Sequence, residues 1–148
     1  MSWQELIDGN PELAAFGAER LLESEVAYLA TVRQDGSPRV HPVTPIIGGG
    51  KLFVFMEPTS PKGHDLRRNG RYAMHCQVAD SEGGKGEFFL SGEAKLVEDA
   101  ATRETAVRAA SYDVADRYIL FELAVDQALG TTYSSDGPVR QRWQRHPL

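Results

Sequence analysis

The sequence predicts a mainly β protein, an antiparallel barrel with peripheral helices. Strand-length apolar segments follow one another along most of the chain, separated by turn signals rich in glycine, aspartate and serine. The two longer helical patterns lie outside this consecutive set of about six or seven strands, as expected for a sheet that curls on itself. No internal repeat, low-complexity tract or linker interrupts the pattern. Residues 1–148 therefore read as one domain, with 1–25 as a helical segment packed on the barrel.

The chain opens with a short apolar turn from Trp3 to Ile7. Asn10 and Pro11 then supply a cap residue and a favoured first helical residue in the right order. Leu13, Phe16, Leu21 and Leu22, interleaved with Glu12, Glu19, Arg20 and Glu23, form one apolar stripe at helical spacing. From Val26 the composition changes to β-formers, and Gln34-Asp35-Gly36-Ser37 is a strong turn, so this is the first strand of a hairpin. The return strand spans 38–47. Pro42 and Pro45 place it at an edge or a bulge, because proline cannot donate to a ladder.

A glycine turn at 48–50 leads into Lys51-Leu52-Phe53-Val54-Phe55-Met56, whose unbroken apolar run predicts a central strand buried on both faces. Residues 58–70 encode one short helix, with Ser60 as N-cap, Pro61 at the first helical position and Asn69-Gly70 as a left-handed stop. Tyr72, Met74, Cys76 and Val78 alternate with Ala73, His75 and Gln77, and Phe88, Leu90, Ala94 and Leu96 repeat the pattern. Asp99 precedes an alanine-rich helix over 100–110. Ile119, Phe121, Leu123 and Val125 give a further strand, and the last hairpin turns at 134–137.

At this length roughly 70% of the unfolded surface can be buried, so a full core forms without disulfides or structural metal. Sixteen Lys and Arg against 21 Asp and Glu leave a net charge of −5, which opposes a broad footprint on nucleic acid or anionic membrane. The single cysteine, Cys76, excludes an internal disulfide, and the opening residues lack a basic segment followed by an apolar one. No apolar run approaches the roughly 18 residues of a membrane span. The expectation is a cytoplasmic protein with neither membrane nor nucleic-acid partner.

Chemistry concentrates in 58–70. A helix N-terminus carries unpaired amide donors and a positive dipole end, and with the hydroxyls of Thr59 and Ser60 and the ammonium of Lys62 it suits an anion such as a phosphate. The same residues also read as a capped surface helix with Lys62, Arg67 and Arg68 solvated. Arg39 and His41 occupy alternate positions of the return strand and so project from one face, where a second cation can reach the same ligand.

Other constellations are weaker. His41, His64, His75 and Cys76 have no zinc-like spacing, so no metal is expected, and Cys76 reads as a core residue. Ser60, Ser91 and Ser111 lack a nucleophile-elbow context, and no glycine pattern matches a P-loop or dinucleotide fingerprint. Arg140, Arg142 and Arg145 surround Trp143 in a basic-aromatic cluster that suits an anionic ligand or RNA, and equally a solvated last strand.

The order of these parts is specific: an Asp-Gly hairpin, the strand Ser37-Pro38-Arg39-Val40-His41-Pro42-Val43, the strand 51–56, and Thr59-Ser60-Pro61-Lys62 entering Asp65-Leu66-Arg67-Arg68-Asn69. It resembles the pyridoxamine 5'-phosphate oxidase-like, FMN-binding split-barrel family, well over 26–96 and more loosely over 118–145. The resemblance implies a six-stranded antiparallel split barrel that forms a homodimer, with FMN in a cleft between protomers. By position, Arg39 and Lys62 then bind phosphate with Ser60 assisting. The backbone of Val40, His41 and Pro42 borders the flavin ring, and Phe55 and Met56 line the same cleft.

Glu87 stands where the vitamin-B6 oxidases tend to have glutamine, and Arg142 and Trp143 fall near their C-terminal flavin and substrate contacts. Pro61 replaces an arginine that precedes the lysine in the oxidases, and their C-terminal Arg-Leu-His-like element is absent. The resemblance thus implies an FMN-dependent oxidoreductase moving hydride or electrons between small molecules, with no catalytic side chain assigned. Related split barrels bind a deazaflavin or haem, so a deazaflavin-dependent reductase and a non-catalytic flavin or haem binder are the alternatives.

Overall fold

The computed structural model describes residues 2–145. Its nine strands are β1 (Ala27–Val32), β2 (Pro38–Val43), β3 (Ile46–Gly48), β4 (Lys51–Met56), β5 (Arg71–Cys76), β6 (Glu87–Leu96), β7 (Ile119–Leu123), β8 (Gln127–Ser134) and β9 (Gly137–Gln144). Four helices accompany them: α1 (Trp3–Gly9), α2 (Pro11–Glu23), α3 (Pro61–Arg68) and α4 (Ala100–Ala109). All pairings are antiparallel. The path runs β2-β1-β5-β6-β7-β4-β3, with β8 on β6 and β9 on β8.

The curl of this sheet originates in β6. Its first half pairs β8 through Glu87↔Thr131 to Ser91↔Gln127, and its second half pairs β7 through Ala94↔Leu123 to Leu96↔Phe121. The link from β7 to β8 crosses the strand at Gly92, where a Cβ would lie 2.0 Å from the Ala124 carbonyl oxygen. The sheet therefore turns a corner there and becomes a half-barrel, the mainly β architecture that the strand pattern predicts.

Leu29, Leu52, Val54, Met74, Phe88, Leu90, Phe121 and Leu123 fill the interior. Asn10 caps α2 by accepting from the Leu13 amide at 3.1 Å, and the helix lays Leu13, Ala14 and Leu21 over this core. Gly17 lets the helix come close: a Cβ there would sit 2.4 Å from the Phe88 ring.

Several local expectations are corrected. The opening turn is a helix, α1, because Trp3 and Leu6 are both buried one turn apart. The return strand divides into β2 and β3 at Thr44-Pro45, which places the halves on opposite edges of the sheet. With the C-terminal hairpin, this raises the strand count above six. β4 is next to the β3 edge rather than central, yet it is buried on both faces. Leu52, Val54 and Met56 face the main core, while Phe53 and Phe55 join Ile46, Leu120 and Ala106 of α4 in a second one. α3 does not end in a left-handed residue, since Asn69 is extended at φ −143°. Gly70 is there for proximity: its carbonyl accepts from the Ala94 amide at 2.7 Å, and a Cβ would meet the Ala94 oxygen at 2.6 Å.

Candidate functional site

The β1–β2 hairpin and the start of α3 meet at one end of the half-barrel. Thr31, Leu29 and Ala27 form the inward row of β1, and their partners Arg39, His41 and Val43 form the inward row of β2. β2 is an edge strand, so Val40, His41 and Pro42 also offer one side of their backbone outward. α3 begins with the Ser60 side chain accepting from the Gly63 amide at 3.2 Å. The Ser60 hydroxyl proton stays free to donate, while its oxygen already serves the helix.

Lys62 and Asp65 are three residues apart on α3 and share a face. Asp65 is buried, and its Oδ2 accepts from Arg39 Nε at 2.7 Å and from the Thr31 hydroxyl at 2.8 Å. Its Oδ1 accepts from Arg68 Nη2 at 3.0 Å. Lys62 is half-buried, has no carboxylate partner among the described residues, and is pushed below its usual range by burial. His41 is held below its usual value by burial and then by the charges of Lys62 and Arg39. His41 thus lies within reach of the charges of both Lys62 and Arg39, in a region of positive potential that keeps its imidazole neutral at pH 7.

Beside it lies a cleft of about 440 Å³ whose walls include Arg33, Arg39, His64 and Arg68. Asp35 and Asp65 also line it, and Lys62 is not among its walls. Arg67, the helical cation nearest in sequence to the absent arginine at 61, is exposed, whereas Arg68 is engaged by Asp65. Phe55 and Met56 are only 8% and 4% exposed, and the Arg103 guanidinium covers the Phe55 ring at 5.1 Å. Packing consumes both side chains, so they do not line an open cleft within one copy of the chain.

The remaining predicted residues lie elsewhere. Glu87, on β6, belongs to the outward face of the sheet with His75 and Phe89. One Glu87 oxygen accepts from the Tyr133 hydroxyl, and the other is 3.7 Å from His75 Nε2. Arg142 pairs with Leu129 on this outward face, but Trp143 pairs with the buried Ala128 and turns inward against the main core. Alternation in β9 therefore sends Arg142 and Trp143 to opposite faces, and within one copy they cannot grip the same ligand. Arg145 is spent on Asp126 at 3.3 Å. Three strand spacings separate β2 from β6 and five separate it from β9, roughly 14 and 24 Å along the sheet.

Sequence reasoning missed Asp65 and Thr31. Their signal was a polar residue in an otherwise apolar inward row: Thr31 after Ala27 and Leu29, and Asp65 beside the single leucine of α3. The outward face of β2, β1 and β5 carries no helix and exposes Val40 at 62% and Tyr28 at 42%, with Pro42 beside them. Among the described residues no cluster of histidine, cysteine or carboxylates suits a metal ion, and no helix is long and apolar enough to cross a membrane.

The family model for pyridoxamine 5'-phosphate oxidase matches residues 13–132. No curated relative matches the sequence. Among solved structures, a heme binding protein from Mycobacterium smegmatis superposes with a TM-score of 0.68 at 20% identity, covering 88% of this chain and 57% of that one. The chain thus spans a little over half the length of that relative. PhzG from Burkholderia lata 383, solved with tetrahydrophenazine-1-carboxylic acid, gives a TM-score of 0.67 at 17% identity, covering 96% of this chain and 87% of PhzG. A NimC/NimA family protein from Clostridium acetobutylicum gives 0.62 at 23% identity, covering 84% and 89% of the two chains. Identities this low establish a shared split-barrel fold.

Proposed function

The chain belongs to the pyridoxamine 5'-phosphate oxidase family, and from that premise we propose that it is an FMN-binding oxidoreductase that works as a homodimer. One observation supports the reading: Arg39, on the open edge strand β2, bonds Asp65 of α3, whose first turn carries Ser60 and Lys62, and the charges of Lys62 and Arg39 both act on His41. Two cations and a hydroxyl donor at a helix N-terminus match a phosphate dianion. An edge backbone flanked by exposed Val40 suits a flat ring. FMN when bound supplies hydride and electron transfer. The chain's own residues anchor the phosphate and border the ring with the backbone of Val40, His41 and Pro42.

The separation of the two groups of residues supports a second copy. Glu87 and Arg142 lie on the outward face and far along the sheet from Arg39, so a ligand at β2 meets them only if a partner presents its own. The helix-free outward face around Tyr28, Val40 and Pro42 is the surface for that contact.

A second reading, deazaflavin in place of FMN, is favoured by the cleft lined by Arg33, Arg39 and Arg68, which suits a ligand whose anionic part extends past its first phosphate. The visible spectrum of the freshly purified protein, with mass spectrometry of what heat releases, tests both. FMN supports the first reading and a deazaflavin the second. A haem band, or a colourless protein that takes up neither added FMN nor an added deazaflavin, overturns both.

A further inference from the structure

The geometry points to Asp65 as a positioning residue, a buried carboxylate that holds the Arg39 guanidinium by its Nε so that both Nη groups are presented to the ligand's phosphate. The inference rests on the phosphate reading above. Arg39 stands on an edge strand and would otherwise sample many rotamers, ordering only when an anion arrives. Its Nε–H donates to Asp65 Oδ2 at 2.7 Å, and among the described residues its Nη groups donate to nothing. The bond thus uses the guanidinium's back edge and leaves its paired donors, the fork that matches phosphate, free.

Asp65 is itself immobile. It is 3% exposed, with Thr31, at 2% exposed, donating to the oxygen that holds Arg39, and Arg68 bound to the other oxygen. Arg68 Nη2 also reaches the Val32 carbonyl at 3.1 Å, tying the assembly to the end of β1. Burial pushes the Asp65 carboxyl up, and the hydrogen bonds from Arg39, Thr31 and Arg68 more than offset this, so it stays ionised at neutral pH. Two arginines around one carboxylate leave the site with net positive charge for the anion.

The sign of one substitution separates positioning from charge. Asp65→Asn removes a negative charge beside the anion site, so electrostatics alone predicts tighter FMN binding. Positioning predicts weaker binding, by roughly tenfold, the scale of one misplaced charge-assisted hydrogen bond. FMN and riboflavin are titrated in parallel against wild type, Asp65→Asn and Thr31→Val. Thr31→Val keeps every charge and removes only the bond that steadies Oδ2, so it serves if Asp65→Asn does not fold. The expected result is weaker FMN binding with riboflavin affinity unchanged, whereas loss of general integrity lowers both alike. If wild type binds riboflavin as well as FMN, the phosphate reading itself falls. If wild type prefers FMN and the folded variants bind it as tightly or more tightly, or lose both ligands equally, that reading stands and the role of Asp65 is refuted.

Discussion

His75 and Glu87 meet across neighbouring strands, with Nε2 and Oε1 3.7 Å apart on the outward face of the sheet. His75 is raised from 6.5 to about 9, first by hydrogen bonding to the Cys76 side chain, against a lowering by burial, then by the Cys76 carbonyl oxygen 2.6 Å from Nδ1, with the Glu87 charge adding last. A group raised on folding contributes stability that is fully present below pH 6.5 and is lost as pH rises through about 9. Urea midpoints measured across that window should fall more for wild type than for His75→Gln. Parallel curves would show that His75 titrates at its ordinary value.

Lys62→Ala should weaken FMN binding by about 1.5–3 kcal/mol, the range for a hydrogen bond to a charged group, while leaving riboflavin binding unaffected. Lys62 has no acid partner among the described residues and lies half-buried, so little else in the fold depends on its charge. A fluorescence titration reads the change, and an unchanged FMN affinity would remove Lys62 from the phosphate site.

His41 reports on the same site. Burial and the charges of Lys62 and Arg39 hold its imidazole below the ordinary value. A dianion placed among those cations cancels part of their field, so the His41 pKa should rise on ligand binding. Nuclear magnetic resonance titration of the histidine ring, with and without FMN, checks the direction; a pKa unmoved by FMN would place the anion elsewhere.

Gly92→Ala tests the corner of the half-barrel. The new Cβ would lie 2.0 Å from the Ala124 oxygen, a backbone atom held by the adjacent bonds from Ala124 N to Glu93 O and from Asp126 N to Ser91 O, both 2.9 Å. Because the neighbour cannot rotate away, the cost should reach about 1–3 kcal/mol or more in urea unfolding. A loss under about 0.5 kcal/mol, the scale of a neutral surface change, would mean that the β7–β8 link is free to shift.

Local chemistry made much of this protein legible. Alternation and turn residues gave the order of most strands, Asn10, Ser60 and Asp99 marked three helix starts as caps do, and the cation at 39 with the capped helix at 60–62 marked the candidate site. These features depend on neighbours within a few residues. The misread elements depended on distant ones. Trp3 and Leu6 become helical because a core waits for them, and Gly70 is required by Ala94, not by its own torsion.

The division runs through the site as well. That Arg39 and His41 share a strand face, and that Ser60-Pro61-Lys62 opens a helix, follows from local order alone, from backbone periods of two and of 3.6 residues. Long-range folding settles that Asp65 bonds Arg39, that Phe55 and Met56 are spent on packing within one copy, and that Arg142 and Trp143 take opposite sides of the sheet. Those outcomes depend on which strands become neighbours, and pairing across 26 residues from Asp65 to Arg39 is set by how the whole sheet closes.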